Sequence, residues 1–298
     1  MLAHGIARLD VLKQAVEAAL KLPETELGDR LHYFKGIKSH LEANGFTARH
    51  SNVAFADRVD VRARQLRDQM NDILAETGAE KVHIIAHSMG GLDARHMIVD
   101  LDMADKVATL TTIGTPHLGT TLADFGIERG GKELIDALEP VIHLGGFEDL
   151  TTDACGMFNA RAEAQEAANQ VVYQTYASFE ERKRVFLPLR PSGDFIKARE
   201  GENDGLVSVT SQRWKAELRG SGGITKRIAQ FDFPVPADHL NEVGWWDPQE
   251  FSLARISHKL SAGSTQSDFR TSKPDCEVVS AGLDQVEALG CRVADSQA

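Results

Sequence analysis

Ser88 is the residue at which the sequence indicates chemistry most strongly. Residues 81–92 read KVHIIAHSMGGL, in which an apolar, β-branched run leads directly into the serine and two glycines follow it. A strand that turns sharply into a helix needs small residues around the turn, and the turn lifts the serine hydroxyl clear of the sheet. Ala86 stands where glycine is usual in such turns. The pattern predicts a nucleophilic serine at the start of a helix; the alternative is an ordinary strand and turn with an incidental serine.

A serine hydroxyl becomes an effective nucleophile only when a base takes its proton and a carboxylate orients that base. We predict His239 as the base, because it lies in the proline-containing loop PVPADHL before the last predicted helix. The other histidines after Ser88 lie in the helix that follows it (His96), at a strand end (His117), in a weakly patterned segment (His143) and in an amphipathic stretch (His258).

The carboxylate is predicted between the serine and the histidine, since this order of the three residues along the chain is typical of serine hydrolases with such a turn. Asp204 fits, because ENDGLV places it in a turn beside an apolar run. Asp194, within SGDF, is the alternative acid. Asn-Asp-Gly is also common in plain turns, so the local pattern by itself leaves both readings open.

Two backbone N–H groups must stabilise the oxyanion that forms when serine attacks a carbonyl carbon. The residue after the nucleophile, Met89, supplies one at the helix N-terminus. The other is expected from a loop after an early strand, and His4-Gly5-Ile6 is such a place, with the Ile6 N–H as the candidate. His4 itself is interpreted as a structural brace.

Strands and helices must alternate to position these residues, and the pattern predicts that they do. The predicted strands are 46–53, 81–86, 107–113, 171–177, 185–189 and 231–236, and the predicted helices are 31–43, 60–76, the one following Ser88, 160–170 and 248–260. This alternation is typical of an α/β fold with a mostly parallel sheet and helices on both faces. We expect one domain over residues 1–260 and a polar, loosely ordered tail over 261–298.

Residues 122–150 interrupt the pattern with short apolar helical pieces among paired glycines. Such pieces have too little apolar surface for a core of their own, but enough to cover a groove. We predict a mobile lid with glycine hinges, and a fixed helical cap is the alternative.

Composition narrows the class of function further. The formal net charge of −11 argues against a nucleic-acid partner, which would call for a basic surface. No run approaches the roughly 20 apolar residues needed to span a bilayer. The three cysteines (Cys155, Cys276 and Cys291) suggest neither a disulfide framework nor a metal site. No signal peptide is visible, and because the chain opens at what reads as the end of a core strand, we expect that its start is clipped.

Several of these motifs together resemble the bacterial true lipases of the Pseudomonas and Burkholderia type, the family I triacylglycerol lipases. The shared segments, in the family's order over about residues 1–250, are LAHG at the N-terminus, HSMGG around Ser88, GTPHLG at 114–119, ADF at 123–125, FNA at 158–160, NDGLV at 203–207 and HLNEV at 239–243. The resemblance implies an α/β-hydrolase fold with the triad Ser88, Asp204 and His239, and a helical lid after residue 125. It also implies acyl-ester substrates, including lipids at a lipid–water interface, and secretion.

Three departures qualify what the resemblance implies. Asn241 stands where the family has an aspartate that holds a structural calcium, so calcium is expected to matter less here, and no cofactor is expected for the chemistry. Thr210 stands near the position of a cysteine that forms a disulfide in some members. The lid segment is short, which argues against strong interfacial activation.

The function predicted is therefore hydrolysis of acylglycerols or related esters through an acyl-enzyme. An acyltransferase or a polyester depolymerase would use the same three residues, because water and an alcohol compete for the same intermediate. A non-catalytic binding protein of the same fold is a further alternative.

Overall fold

A parallel sheet is the centre of the computed structural model, which describes residues 1–6, 32–55, 57–127, 138 and 146–245. The strands are β1 (Leu2–Ala3), β2 (Val82–His87), β3 (Val107–Ile113), β4 (Val172–Ala177), β5 (Glu217–Arg219), β6 (Thr225–Arg227) and β7 (Ala229–Asp232). Five of them form one sheet in the order β1-β2-β3-β4-β7, and each neighbouring pair is parallel. Strands β5 and β6 form a separate antiparallel hairpin.

Helices cover this sheet and connect its strands. They are α1 (Ile37–Ala43), α2 (Val59–Thr77), α3 (Met89–Asp100), α4 (Thr121–Ile127), α5 (Thr152–Ala168), α6 (Arg190–Glu200) and α7 (Val209–Arg213). Short 3-10 helices occur at Ala104–Lys106, Phe147–Leu150, Leu187–Leu189, Ser221–Gly223 and Asn241–Val243. Every residue of β2 except His83 and every residue of β3 except Ala108 is buried, as expected for strands that are covered on both faces.

The parallel arrangement brings the carboxyl ends of the strands to one edge of the sheet. Ile85 on β2 is in register with Leu2 on β1 and with Thr111 on β3, and Thr111 is in register with Gln174 on β4. Ser88 follows β2 directly at this edge. The chain segments after β3, β4 and β7 leave the sheet at the same edge, which is where ligands bind in open α/β sheets.

Several predicted elements differ in the structure, and the strand predicted at 231–236 lies earlier, at Ala229–Asp232. The predicted strand over 46–53 makes only a single bridge, between His50 and Leu2. The predicted helix over 31–43 begins at Ile37, since Gly36 has a φ of 77° and interrupts it. The predicted strand over 185–189 is wrong: the Val185 N–H bonds back to Glu181, and a 3-10 helix with a proline follows.

The helix predicted over 160–170 is longer at its start. It begins at Thr152, because the Thr151 hydroxyl caps it by accepting the Ala154 N–H at 3.2 Å. The predicted helix 248–260, the tail 261–298, and His143, His258, Cys276 and Cys291 lie outside the described residues. The domain boundary at residue 260 therefore stays a prediction. Within the described ranges, no helix is both long and apolar enough to cross a bilayer.

Candidate active site

Ser88 lies on a strained turn between β2 and α3. Its φ is 57° and its ψ is −136°, a region that favours glycine and costs a side-chain-bearing residue energy. The turn is tight: a Cβ on Gly90 would lie 2.4 Å from the Ala3 oxygen, and one on Gly91 would lie 2.3 Å from the Thr115 hydroxyl. Glycine is therefore required at both positions, because larger residues would push α3 away from the sheet edge.

A line of hydrogen bonds joins Ser88 to two side chains far along the sequence. The Ser88 Oγ lies 2.9 Å from His239 Nε2, and His239 Nδ1 lies 2.8 Å from Asp204 Oδ2. All three side chains are buried. With Nδ1–H donating to the carboxylate, Nε2 is left as the acceptor for the serine hydroxyl. This is the arrangement that a general base needs to take the serine proton.

The Asp204 carboxylate receives hydrogen bonds on both oxygens besides the one from histidine. The backbone N–H groups of Leu206 and Val207 donate to Oδ1, each at 2.8 Å. The Gln212 side-chain amide donates to Oδ2 at 3.0 Å. Hydrogen bonds that go to the charged form of a carboxylate favour that form. Gln212, on α7, was not singled out by the sequence analysis.

A second buried carboxyl group, Glu242, lies beside the same histidine. Its Oε2 is 3.0 Å from His87 Nε2 and 3.8 Å from His239 Nδ1, and its Oε1 has no hydrogen-bond partner. The Tyr33 hydroxyl lies 2.7 Å from the other ring nitrogen of His87. Burial, with the nearby Asp204 charge, raises the pKa of Glu242 well above its usual range. Burial thus favours the neutral form of Glu242, and in that form its hydroxyl donates to His87 Nε2.

His87 and His4 are neutral for a related reason. Burial lowers the pKa of His87 well below its usual value, and it lowers the pKa of His4 to about 4. His4 Nδ1 donates to the Gly5 oxygen at 2.8 Å, and its Nε2 accepts the Val53 N–H at 3.3 Å. His4 thus braces the loop after β1, in agreement with the interpretation from sequence.

The two predicted oxyanion donors both lie close to Ser88. Met89 is the first residue of α3, so its N–H has no partner within the helix. Ile6 lies on the loop after β1, and a Cβ on the preceding Gly5 would lie 3.0 Å from the Ser88 Oγ. Neither N–H has a hydrogen-bond partner among the described residues.

A largely apolar pocket opens over Ser88. Its empty volume is about 470 Å³, part of it open to solvent. It is lined by Ile6, Tyr33, Ser88, Pro116, Thr120, Leu122, Phe147, Leu150, Leu206, Val207, His239 and Leu240. Such a lining suits the hydrocarbon part of a substrate, with the polar groups confined to the reacting end.

The other residues considered from sequence lie elsewhere. Asp194, the alternative acid, is on α6 and pairs with Arg182 at the surface. His117 is buried against Trp214 and bonded to Thr112, and burial lowers its pKa well below the usual value. His96 pairs with Asp100 on α3. Cys155 is a buried free thiol whose pKa burial raises to about 12.

Only the ends of the predicted lid, 122–150, belong to the described residues apart from Leu138. Helix α4 is held at its start by Glu200, whose Oε1 accepts the Thr121 N–H at 2.9 Å. Asp124 accepts the Thr152 N–H and hydroxyl at 2.9 and 2.8 Å. These bonds fix the end from which the segment leaves, and its mobility stays a prediction.

The residues around Asn241 do not fit the calcium site that the resemblance implies. The Asn241 amide donates to the Trp245 oxygen at 2.5 Å. The neighbouring Asp238 accepts the N–H groups of Leu240 and Asn241 on Oδ1, and that of Phe186 on Oδ2. A calcium ion needs several free oxygen ligands. Among the described residues, one group of His and acidic side chains has metal-like spacing, namely His87, His239 and Glu242, which bond to one another or to the network above.

Comparisons with known proteins show which family the chain resembles. A family description, the PGAP1-like alpha/beta domain, matches residues 54–135, which include the turn at Ser88. Triacylglycerol lipase 2 of Saccharomyces cerevisiae is 28% identical over 242 residues, covering 78% of this chain and 68% of that protein. A triacylglycerol lipase of Vibrio cholerae is 31% identical over 214 residues, covering 61% of this chain and 68% of that protein. The chain belongs to the α/β-hydrolase lipase family.

As a member of this family, the protein is a serine ester hydrolase. The solved structure of the mature Bacillus licheniformis lipase BlEst2 has the same fold, with a TM-score of 0.57 at 18% identity, covering 80% of this chain and 83% of that one. The match to the triacylglycerol lipase of Burkholderia plantarii is shorter, at 36% identity over 128 residues, and covers 42% of this chain and 31% of that protein.

Proposed function

We propose that this α/β-hydrolase lipase hydrolyses acylglycerols or related lipid esters through an acyl-enzyme on Ser88. The observation that carries the proposal is the continuous line of hydrogen bonds from Ser88 through His239 to Asp204. Its type within the family is that of the Pseudomonas and Burkholderia enzymes, which the motifs around residues 88, 204 and 239 support.

In the first half-reaction the Ser88 oxygen attacks the ester carbonyl carbon while His239 Nε2 takes the hydroxyl proton. The carbonyl oxygen becomes an oxyanion and accepts hydrogen bonds from the backbone N–H groups of Ile6 and Met89. When the tetrahedral intermediate collapses, the bond to the alkoxy group breaks, and the imidazolium returns its proton to that group. The products are a free alcohol and an acyl-enzyme.

In the second half-reaction water replaces the alcohol. His239 takes a proton from the water as it attacks the acyl carbon, and the same two N–H groups stabilise the oxyanion. Collapse releases the carboxylic acid and returns the proton to Ser88. Throughout, Asp204 keeps the histidine in one tautomer and stabilises its positive charge.

The apolar pocket supports a fatty-acyl substrate. Its lining includes Leu122, Phe147 and Leu150 from the predicted lid segment, and Leu206 and Val207 from the turn that carries the acid. Esters of longer chains would bury more methylene groups there, each worth about 0.8 kcal/mol of transfer free energy when fully buried.

The deciding experiment combines a covalent probe with a chain-length series. A fluorophosphonate should label Ser88, found by peptide mass spectrometry, and hydrolysis of p-nitrophenyl esters should depend on acyl length. Ser88→Ala serves as the matched control and should lose both reactions. Labelling at another serine, or no hydrolysis of any ester by the wild type, would contradict the proposal. Adding an alcohol acceptor would distinguish an acyltransferase, which would form a new ester in preference to the acid.

A further inference from the structure

A buried arginine on α2, outside the catalytic line, connects both sides of the proposed oxyanion hole. The Arg62 Nε and Nη2 donate to Asp93 Oδ2 on α3 at 2.9 and 2.7 Å. Its Nη2 also donates to the His4 oxygen at 2.8 Å, and its Nη1 donates to the Ala54 oxygen. Both partners of the ion pair are at most 1% exposed.

An ion pair in this position is expensive to bury. Two charges lose their hydration, and packed apolar residues of similar volume often give an equal or better stability. The cost is visible at Asp93, whose Oδ1 has no hydrogen-bond partner and whose pKa burial raises to about 6. A contribution to stability therefore does not by itself explain this ion pair, and the groups that it holds in place indicate a second role.

The loop that Arg62 holds begins where the sheet ladder stops, because strand β1 contains only Leu2 and Ala3. Among the described residues, His4 bonds to Ser51 and Val53 and its ring packs against Phe55. The bond from Arg62 differs from these contacts, because Arg62 is itself tied to α3 through Asp93. Ile6, whose N–H is the proposed donor, comes two residues after the carbonyl that Arg62 binds.

We infer that Arg62 and Asp93 are positioning residues that set the separation between the two oxyanion donors. Asp93 fixes the guanidinium to α3, whose first N–H belongs to Met89, and the guanidinium in turn fixes the loop that carries Ile6. The inference rests on the proposed function, because it concerns the same oxyanion. A misplacement of about 1 Å in such a site can reduce the rate about 100-fold.

The helix α3 offers a matched control. Arg95 is as buried as Arg62 and also pairs with a carboxylate, donating to both oxygens of Glu166 at 2.8 and 3.0 Å. It makes no contact with the loop at residues 4–6 among the contacts described. Substituting either arginine by lysine keeps the charge and removes the planar fan of N–H donors.

The test compares Arg62→Lys with Arg95→Lys in kcat, KM and melting temperature, using p-nitrophenyl butyrate. We expect both variants to lose similar stability, whereas only Arg62→Lys should lower kcat, by about 30- to 100-fold with KM within about twofold. Its rate of phosphonylation at Ser88 should fall in parallel, because that reaction also needs the two donors. Asp93→Asn keeps the volume and should fall between wild type and Arg62→Lys.

Equal kcat losses in the two lysine variants would overturn the inference, and so would a change in KM alone. If Arg62→Lys does not fold, Asp93→Asn decides alone, and an unchanged kcat overturns the inference. The amide chemical shifts of Gly5 and Ile6, measured by NMR, give an independent readout and should change in Arg62→Lys but not in Arg95→Lys. A wild type that neither hydrolyses esters nor labels at Ser88 would overturn the proposed function, and unchanged chemical shifts would still overturn the tie to the loop.

Discussion

Asp204 and Glu242 are two fully buried carboxyl groups near the same nitrogen of His239, at 2.8 and 3.8 Å from Nδ1, yet their surroundings differ. Asp204 receives four hydrogen bonds, from two backbone N–H groups, Gln212 and His239. Glu242 has His87 as its hydrogen-bond partner, and one of its oxygens has none. Hydrogen bonds that donate to a carboxylate stabilise its charge, so the number of donors distinguishes the two groups. The difference identifies Asp204 as the group able to stabilise an imidazolium.

Removing the charge from Asp204 is the strongest test of the difference between these two carboxyl groups. We expect Asp204→Asn to reduce kcat/KM by about 10³- to 10⁴-fold, because the amide favours the wrong histidine tautomer. Asp194→Asn is the matched control, since Asp194 is an exposed partner of Arg182, and it should stay close to wild type. Steady-state kinetics on a p-nitrophenyl ester measures both. A severe loss in Asp194→Asn with a mild one in Asp204→Asn would reverse the assignment.

Removing one donor from Asp204 should have a smaller effect. A hydrogen bond to a charged group contributes about 1.5–3 kcal/mol, so Gln212→Met should lower kcat/KM by about 10- to 100-fold. Gln174→Met is the control: Gln174 is equally buried and donates to Thr111 instead. Equal losses of kcat/KM in the two variants would mean that Gln212 acts through packing alone.

Glu242→Gln should have the smallest effect on catalysis. A neutral carboxyl group is replaced by a neutral amide that can also donate to His87, so kcat/KM should stay within about threefold of wild type, or about 0.65 kcal/mol. A loss of 100-fold or more would show that Glu242 carries a charge that catalysis uses.

The same substitution should change how stability depends on pH. The pKa of Glu242 is raised in the folded state, so above its ordinary value of 4.5 the folded protein keeps a proton that the unfolded chain has lost. The free energy of unfolding therefore falls as pH rises through this window. Asp93 and Asp238, whose pKa values burial raises to about 6, contribute with the same sign in both proteins. The free energy of unfolding, measured with denaturant between pH 5 and 8, should fall less steeply with pH for Glu242→Gln than for the wild type. Identical slopes of this free energy against pH would contradict a neutral Glu242.

Metal removal should have little effect on stability. Both oxygens of Asp238 already accept backbone N–H groups, and Asn241 lacks the charge of an aspartate, so EGTA should leave the melting temperature within about 1 °C. A loss of about 1 kcal/mol would cause a shift of several degrees. A large drop on EGTA that Ca²⁺ reverses would mean that other residues form a calcium site.

Sequence reasoning succeeded where one short segment determines the structure. The apolar run before Ser88 predicted β2, and the apolar spacing of α2 predicted that helix within about a turn. It failed at 185–189, where a proline and contacts with the rest of the fold prevent an apolar run from becoming a strand. Local patterns do not show which partner a segment will meet.

The supporting residues of the site were missed for the same reason. Arg62 is one of several arginines in α2, and its partner Asp93 is 31 residues away. One signal was available, because Arg62 shares the spacing of the apolar face with Val59, Leu66 and Met70. An arginine on that face has to be buried with a partner. Gln212 carries no comparable signal, since nothing in its own helix indicates that it will reach Asp204.

The φ of 57° at Ser88 has a consequence for how this chain can change over generations. Glycine would relieve strain of about 1–3 kcal/mol at this position, and the same substitution would delete the nucleophile. Selection for stability alone would therefore favour an inactive descendant. A lineage that stopped needing the enzyme would gain stability by the very change that makes the loss of activity hard to reverse. The serine persists at this turn only while hydrolysis itself is under selection.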